Sequence, residues 1–308
     1  MAGTHIRFDW AIKKLLRDKA NYVVLEGFLS ELLKEDIKID SILESESNRF
    51  TQENKLNRVD ILAKNDKDEF LLIEVQNSPE NDYFHRMLYG VSALISEYLG
   101  KGEAYGKVKK VYSINIVYFS LGQGRDYIYQ GKVDFRGIHI NDKLELSELQ
   151  KEVFKIQEIY QIFPEYYVLR VNNFNDVAKD SLDEWIYFLK NSEIKDEFQA
   201  RGLAQAKDNL RVENLSPGER AAYQKYLEDR RYEISIIESA EVTGELRGRK
   251  EGREEGIKEG KKEGIKEGIK TGEKQAEVKM AKSLKAEGAD INLIVKVTGL
   301  SPEEIDQL

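Results

Sequence analysis

Apolar residues at Phe8, Ile12, Leu15 and Leu16, then at Leu25, Phe28, Leu29, Leu32 and Leu33, recur at i, i+3 and i+4, the spacing that lines one face of a helix. The first forty residues are therefore predicted to be helical. Residues 37–43 alternate in part and are rich in β-branched side chains, which predicts a strand. Residues 59–63 and 70–76 predict two more, flanking the polar run Asn65-Asp66-Lys67-Asp68-Glu69, a turn of hairpin length. Beyond Pro79, apolar positions at Phe84, Met87, Leu88, Val91, Leu94, Ile95, Tyr98 and Leu99 mark an amphipathic helix ending near Gly100. Residues 111–119 are too apolar and β-rich for a surface element and predict a buried central strand. The order so far is αβββαβ.

From about residue 147 to 231 the pattern turns helical, with Leu182, Trp185, Ile186 and Leu189 on one face and Ser216-Pro217-Gly218-Glu219 as a helix start. Glycines then recur every fourth residue from Gly244 to Gly272 among Glu, Lys, Arg and a few Ile. The repeat reads either as a helix with a winding small-residue stripe for self-association, the reading the unbroken period and Ile257, Ile265 and Ile269 favour, or as a flexible charged spacer. Three short helices are predicted to close the chain: residues 280–286 stopped by Gly288, one capped by Asp290, and one opened by Ser301-Pro302-Glu303-Glu304. This tail resembles a helix-turn-helix, but its last helix is too short to read a major groove, so a packing or partner module is expected. The domains expected are a core (1–146), a helical region (147–240), the charged repeat (241–279) and a small helical tail (280–308).

Composition narrows the chemistry. A chain of 308 residues has room for an enzyme core and a second region. The absence of cysteine removes disulfides and thiolate metal sites and suits a reducing compartment. No apolar run is long enough for a membrane span and no signal-like segment opens the chain, so a cytoplasmic protein without membrane contact is expected. A net charge of -8 argues against coating nucleic acid by bulk electrostatics but leaves room for a local basic groove.

If the hairpin turn is centred on Lys67, Asp60 faces Glu74 across the ladder, and Gln76, two residues on, shares the face of Glu74. Two opposed carboxylates repel and make a poor choice for stability unless a cation joins them. Hard oxygen ligands suit Mg²⁺ or Mn²⁺, and Mg²⁺ takes one or two carboxylates while keeping waters and phosphate oxygens. The alternative is a hairpin with acids on its solvent face; the strongly apolar strand that Glu74 and Gln76 end argues against it.

Several ordered blocks resemble the Rpn family of recombination-promoting nucleases and transposases, a branch of the PD-(D/E)xK superfamily. They are Phe8-Asp9-Trp10-Ala11-Ile12-Lys13-Lys14-Leu15-Leu16-Arg17, Leu25-Glu26-Gly27-Phe28-Leu29, Asn57-Arg58-Val59-Asp60-Ile61, Ile73-Glu74-Val75-Gln76 and Tyr83-Phe84-His85-Arg86-Met87-Leu88-Tyr89-Gly90. The resemblance spans roughly residues 4 to 240. It implies a restriction-endonuclease-like α/β core with a mixed central sheet, followed by an all-helical C-terminal region. It also implies metal-dependent DNA cleavage associated with recombination or mobile elements. Asp60 and Glu74 would then bind the metal, with the Val75 carbonyl as third ligand. Val59 stands in place of the superfamily's proline, and Gln76 in place of its lysine; Gln76 can orient water but not take its proton. Lys64, four residues from Asp60 on the same face, is about 13 Å away and too far to substitute, which leaves open a candidate from the first helix or from the helix after the hairpin.

Further candidates are Glu26, an additional acid from the first helical segment, with Asp9 as a weaker one. Arg86, beside His85 and Tyr89, is a candidate for gripping the scissile phosphate. Lys101, Tyr105, Lys107, Lys109 and Lys110 form a basic loop suited to DNA backbone or, equally, a solvated connector. The expected protein is a DNA endonuclease using Mg²⁺ or Mn²⁺ and no other cofactor, assembled as a homo-oligomer. Two rivals are a catalytically silent DNA-binding module and a scaffold acting through its C-terminal repeat.

Overall fold

The structure, a computed structural model, describes residues 5–43, 60–100 and 102–308. Val59, at the expected start of the second strand, and Lys101 of the basic loop lie outside the described residues, as do Asn57 and Arg58. The chain divides into two compact units, Met1–Tyr226 and Leu227–Leu308.

In the first unit, helices α1 (Phe8–Lys14) and α2 (Tyr22–Leu33) form where the apolar spacing expects them. Asp9 in the first turn of α1 and Lys13 and Lys14 in its last complement the helix dipole. Strands β1 (Ile39–Leu43), β2 (Ile61–Asn65) and β3 (Phe70–Gln76) follow, then helix α3 (Tyr83–Tyr98) and strand β4 (Val111–Val117). The αβββαβ order holds. The hairpin turn is built by Asn65, whose side-chain oxygen accepts from the Lys67 and Glu69 amides at 3.1 and 2.8 Å, and by Asp68 in the left-handed region at φ 65°. This local chemistry fixes the pairing Ile61 with Ile73, Leu62 with Leu72, Ala63 with Leu71 and Lys64 with Phe70, the register expected for a turn centred on Lys67.

Two strands escaped the sequence pattern. Strand β5 (Ile128–Gly131) and strand β6 (Glu165–Arg170), the latter inside the stretch 147–240 read as helical, complete a six-stranded mixed sheet of order β1-β2-β3-β4-β6-β5. β3 runs parallel to β4 and β4 to β6, while the pairs at either end are antiparallel. The helical region thus starts after β6, apart from the short α4 (Glu148–Phe154). The reason is visible in β6: its two ends are the charged residues Glu165 and Arg170, both buried, so it lacks the apolar run that announces a central strand.

Helix α3 covers one face of the sheet, with Val91 and Leu94 packed on Leu62, Phe70, Leu72 and Val111, and Tyr83 and Met87 on Val117, Phe119, Leu121 and Val168. Helices α5 (Ser181–Asn191) and α6 (Leu203–Asn209) meet α2, and α5 also meets α1. Phe8, Phe28, Trp185 and Phe188 join these helices through edge-to-face and tilted ring contacts, all four fully buried.

Helix α7 (Pro217–Ala286) gives its first turns to this unit. There the Tyr223 hydroxyl accepts from the Arg7 amide at 3.1 Å, and the Tyr226 hydroxyl donates to Asp9 at 2.6 Å. The second unit holds the rest of α7 with helices α8 (Ile291–Thr298) and α9 (Pro302–Asp306). The glycine repeat lies within α7, and residues 280–286, expected as a separate helix, are its last turns. A small core of Ala281, Ile294, Leu300 and Ile305 holds α8 and α9 to it. Among the described residues no helix is long and apolar enough to cross a membrane.

Candidate active site

The hairpin register carries the two acids to one place. Asp60 immediately precedes β2, and its Oδ2 accepts the backbone N–H of Val75 at 2.7 Å, next to Glu74. Glu74 lies on the α3 face of β3, with its carboxylate against Gly90. Glu74 is buried and Asp60 nearly so. In an extended strand the N–H and C=O of one residue point to the same side, so the Val75 carbonyl lies on the β2 side of β3, as its amide does. The next carbonyl, that of Gln76, points the other way and accepts from the Tyr118 amide.

Cations from two helices flank the pair. Lys13, in the last turn of α1, places its ammonium 3.3 Å from Asp60 Oδ1. Arg17, just beyond that helix, donates to the main-chain carbonyl of Asp60 at 2.5 Å. From α3, Arg86 Nε lies 3.3 Å from Glu74 Oε2, and its Nη1 donates to both oxygens of Glu80 at 2.9 and 3.2 Å. Arg17 and Glu80 were not singled out in the sequence, and Lys13 only as one of the first-helix lysines left open. Lys13 and Arg17 come from segments remote in sequence, and Glu80 sits in an irregular loop where no periodicity marks it.

Burial pushes the proton affinity of both acids up. For Asp60, the opposing pull of Lys13 and of the Val75 N–H only partly offsets it. For Glu74, Arg86 opposes the burial while the Asp60 charge reinforces it. A carboxyl group whose folded pKa is raised contributes stability that is complete below its unfolded pKa and lost as pH rises through the folded one. Glu74→Gln is therefore expected to be more heat-stable than the parent protein in EDTA at pH 8, by on the order of 1 kcal/mol. The advantage should vanish near pH 4. Thermal melts of both proteins across that range measure it, and an advantage that grows toward acid would contradict the electrostatic account.

The structure redistributes the other candidates. Glu26 accepts the Ile39 amide at 2.9 Å and pairs with Lys38. Ile39 stands opposite Asn65, so Glu26 is at the far end of β2, roughly 16 Å from Asp60 at ~3.3 Å per residue. It braces β1 and is not a ligand of the pair. Asp9 is saturated by Arg7, the Trp10 amide and Tyr226. Gln76 donates its amide to Glu80 Oε1 at 2.5 Å, so the water-orienting role expected of it competes with an existing bond. Arg86 is brought to Glu74, while His85 and Tyr89 are exposed. Lys64 pairs with Asp68 at the turn.

The basic loop lies away from the acid pair. Val111 pairs with Phe70, so Lys107, Lys109 and Lys110 lie at the end of the sheet opposite Glu74, roughly 15–20 Å away. Lys107 pairs with Glu103 and Lys109 with Asp68. Lys110 is a structural residue: buried, it donates to the Tyr160 and Phe163 carbonyls and to Glu165 at 2.9–3.1 Å. Positive charge in the sequence did not reveal that one ammonium was owed to β6. Lys110→Met should cost about 2 kcal/mol by stripping a buried carboxylate of a charged donor, and should leave DNA affinity unchanged. Chemical denaturation and a DNA-binding titration check the two halves.

Among the described residues no three His, Asp or Glu side chains gather into a metal cluster. The donor set present is two carboxylates and a carbonyl, which fits an ion that keeps most of its waters, as Mg²⁺ does. The desolvated, mutually repelling charges of Asp60 and Glu74 are what such an ion would relieve.

A mixed sheet with an acid pair on a central hairpin, backed by helices, is the restriction-endonuclease-like class of α/β fold. The family model described as PD-(D/E)XK nuclease family transposase matches residues 6–240, and the chain belongs to that family. No curated protein and no solved structure matches it.

Proposed function

We propose that the protein is a DNA endonuclease that hydrolyses phosphodiester bonds with Mg²⁺ or Mn²⁺, in recombination or the movement of genetic elements. The observation that carries this is the pair itself: Asp60, anchored on the Val75 N–H, and Glu74, both with raised proton affinity, at the end of a buried hairpin. Asp60, Glu74 and the Val75 carbonyl would hold the ion, which when bound lowers the pKa of a coordinated water and neutralises phosphate charge. Arg86, kept in place by Glu80, offers a planar donor to a phosphate oxygen. Water oxygen bonds to phosphorus and gives up a proton to solvent, the bond to the leaving oxygen breaks, and that oxygen takes a proton from solvent.

A second reading is DNA binding without cleavage, favoured by one observation, the engagement of the Gln76 amide with Glu80. Supercoiled plasmid incubated with Mg²⁺, Mn²⁺, Ca²⁺ or EDTA separates the two. Nicking or linearisation that requires Mg²⁺ or Mn²⁺ supports the nuclease; retention of DNA with no cleavage in any metal supports the second. The cysteine-free composition suits action in a reducing cytoplasm. Self-association through the glycine repeat of α7 belongs to the same proposal.

A further inference from the structure

The two cations at the acid pair are held differently. Arg86 bridges Glu74 and Glu80, so it keeps a carboxylate partner even if Glu74 turns to another ligand. Lys13 has only Asp60 among the described acidic residues. The two oxygens of Asp60 are also divided: Oδ2 takes the Val75 N–H and Oδ1 faces the Lys13 ammonium. An ion drawn to Oδ1, the oxygen not bonded to the backbone, therefore meets the Lys13 ammonium, and two cations at close range on one carboxylate oxygen repel strongly. The side chain of Lys13 is 46% exposed, and its four-carbon stem lets the ammonium swing by several ångströms.

We infer that Lys13 is a placeholder for the divalent ion on Asp60, displaced when the ion binds and then re-employed on the phosphate of the DNA held there. This rests on the nuclease reading above and adds to it an exchange between two cations. Before metal arrives, Lys13 joins the Val75 N–H in offsetting the buried charge of Asp60. Afterwards it has no acidic partner among the described residues and stands beside a bound polyanion. Arg17, fixed on the Asp60 carbonyl, keeps residue 60 attached to this end of α1 during the exchange.

The exchange gives Lys13 opposite effects on two measurements, which a merely structural lysine would not have. The full-length chain is titrated with Mn²⁺ by calorimetry without DNA, and its Mn²⁺-dependent plasmid cleavage is timed, for the parent protein, Lys13→Met, Lys13→Arg and Asp60→Ala. Lys13→Met is expected to bind Mn²⁺ roughly two- to fivefold more tightly, the size of a half-exposed ion pair that no longer competes. Its cleavage should fall by about a hundredfold for want of a charged donor. Lys13→Arg should stay within about tenfold of the parent in cleavage. Equal melting temperatures in EDTA would show that the fold is intact. Unchanged or weaker Mn²⁺ binding by Lys13→Met, or undiminished cleavage, overturns the exchange while leaving the nuclease standing. Mn²⁺ binding that survives Asp60→Ala, or none by the parent protein, overturns both.

Discussion

Asp60→Ala and Glu74→Ala are each expected to reduce metal-dependent plasmid cleavage by at least about a thousandfold, the largest functional effect in the chain. Each removes one of the two carboxylates proposed to hold the ion, and an ion left with one carboxylate and a carbonyl is neither tightly held nor correctly placed. The two substitutions should not add: a double variant should be no slower than the worse single one, because both disable the same step. Glu26→Ala is the control. Its carboxylate braces β1 on the far side of β2, so it should lose stability and keep cleavage per folded molecule. Cleavage that persists in either Asp60→Ala or Glu74→Ala, with the fold intact, would remove the pair from the reaction.

The largest structural effect is expected at Gly27, where α2 passes the segment that starts α6. A Cβ there would overlap the main-chain carbonyl of Arg201 and lie 2.6 Å from the Cα of Gly202. Neither neighbour can step aside. Gly202 is held at φ 82°, a left-handed conformation that suits glycine, and the Arg201 carbonyl accepts the Trp185 indole N–H at 3.1 Å. Gly27→Ala should therefore cost about 3 kcal/mol or more, at the top of the range for overpacking, and Gly27→Val should prevent folding. By contrast, Gly256→Ala in the repeat, where a Cβ would meet nothing within 4 Å, should stabilise α7 by up to about 1 kcal/mol. Denaturant titrations of the three variants rank these effects, and an unperturbed Gly27→Ala would show that α2 can move away from Arg201.

What could be read from the sequence was what is local. The pairing of Asp60 with Glu74 follows from a turn whose determinants, Asn65 and Asp68, lie within the hairpin itself. The amphipathic face of α3 follows from its own spacing. What could not be read depends on partners distant in sequence. The buried charges of β6 make sense only once Lys110 is seen to serve Glu165. Lys13 becomes a site residue only when α1 is laid against the start of β2. Composition marked residues 107–110 as basic, and only the sheet register decides that they lie at the end opposite Glu74.

The sequence distances inside the site have a consequence for how it is assembled. Val75 and Asp60 are 15 residues apart and Arg86 and Glu74 are 12, whereas Arg17 reaches Asp60 across 43. Short loops close first and long ones late. A partly folded chain is therefore expected to display its negative charges before α1 has come to offset them. If the proposed function holds, the hairpin at that stage is a chelator without a guard, and divalent ions become a template on which the remainder of the protein completes itself.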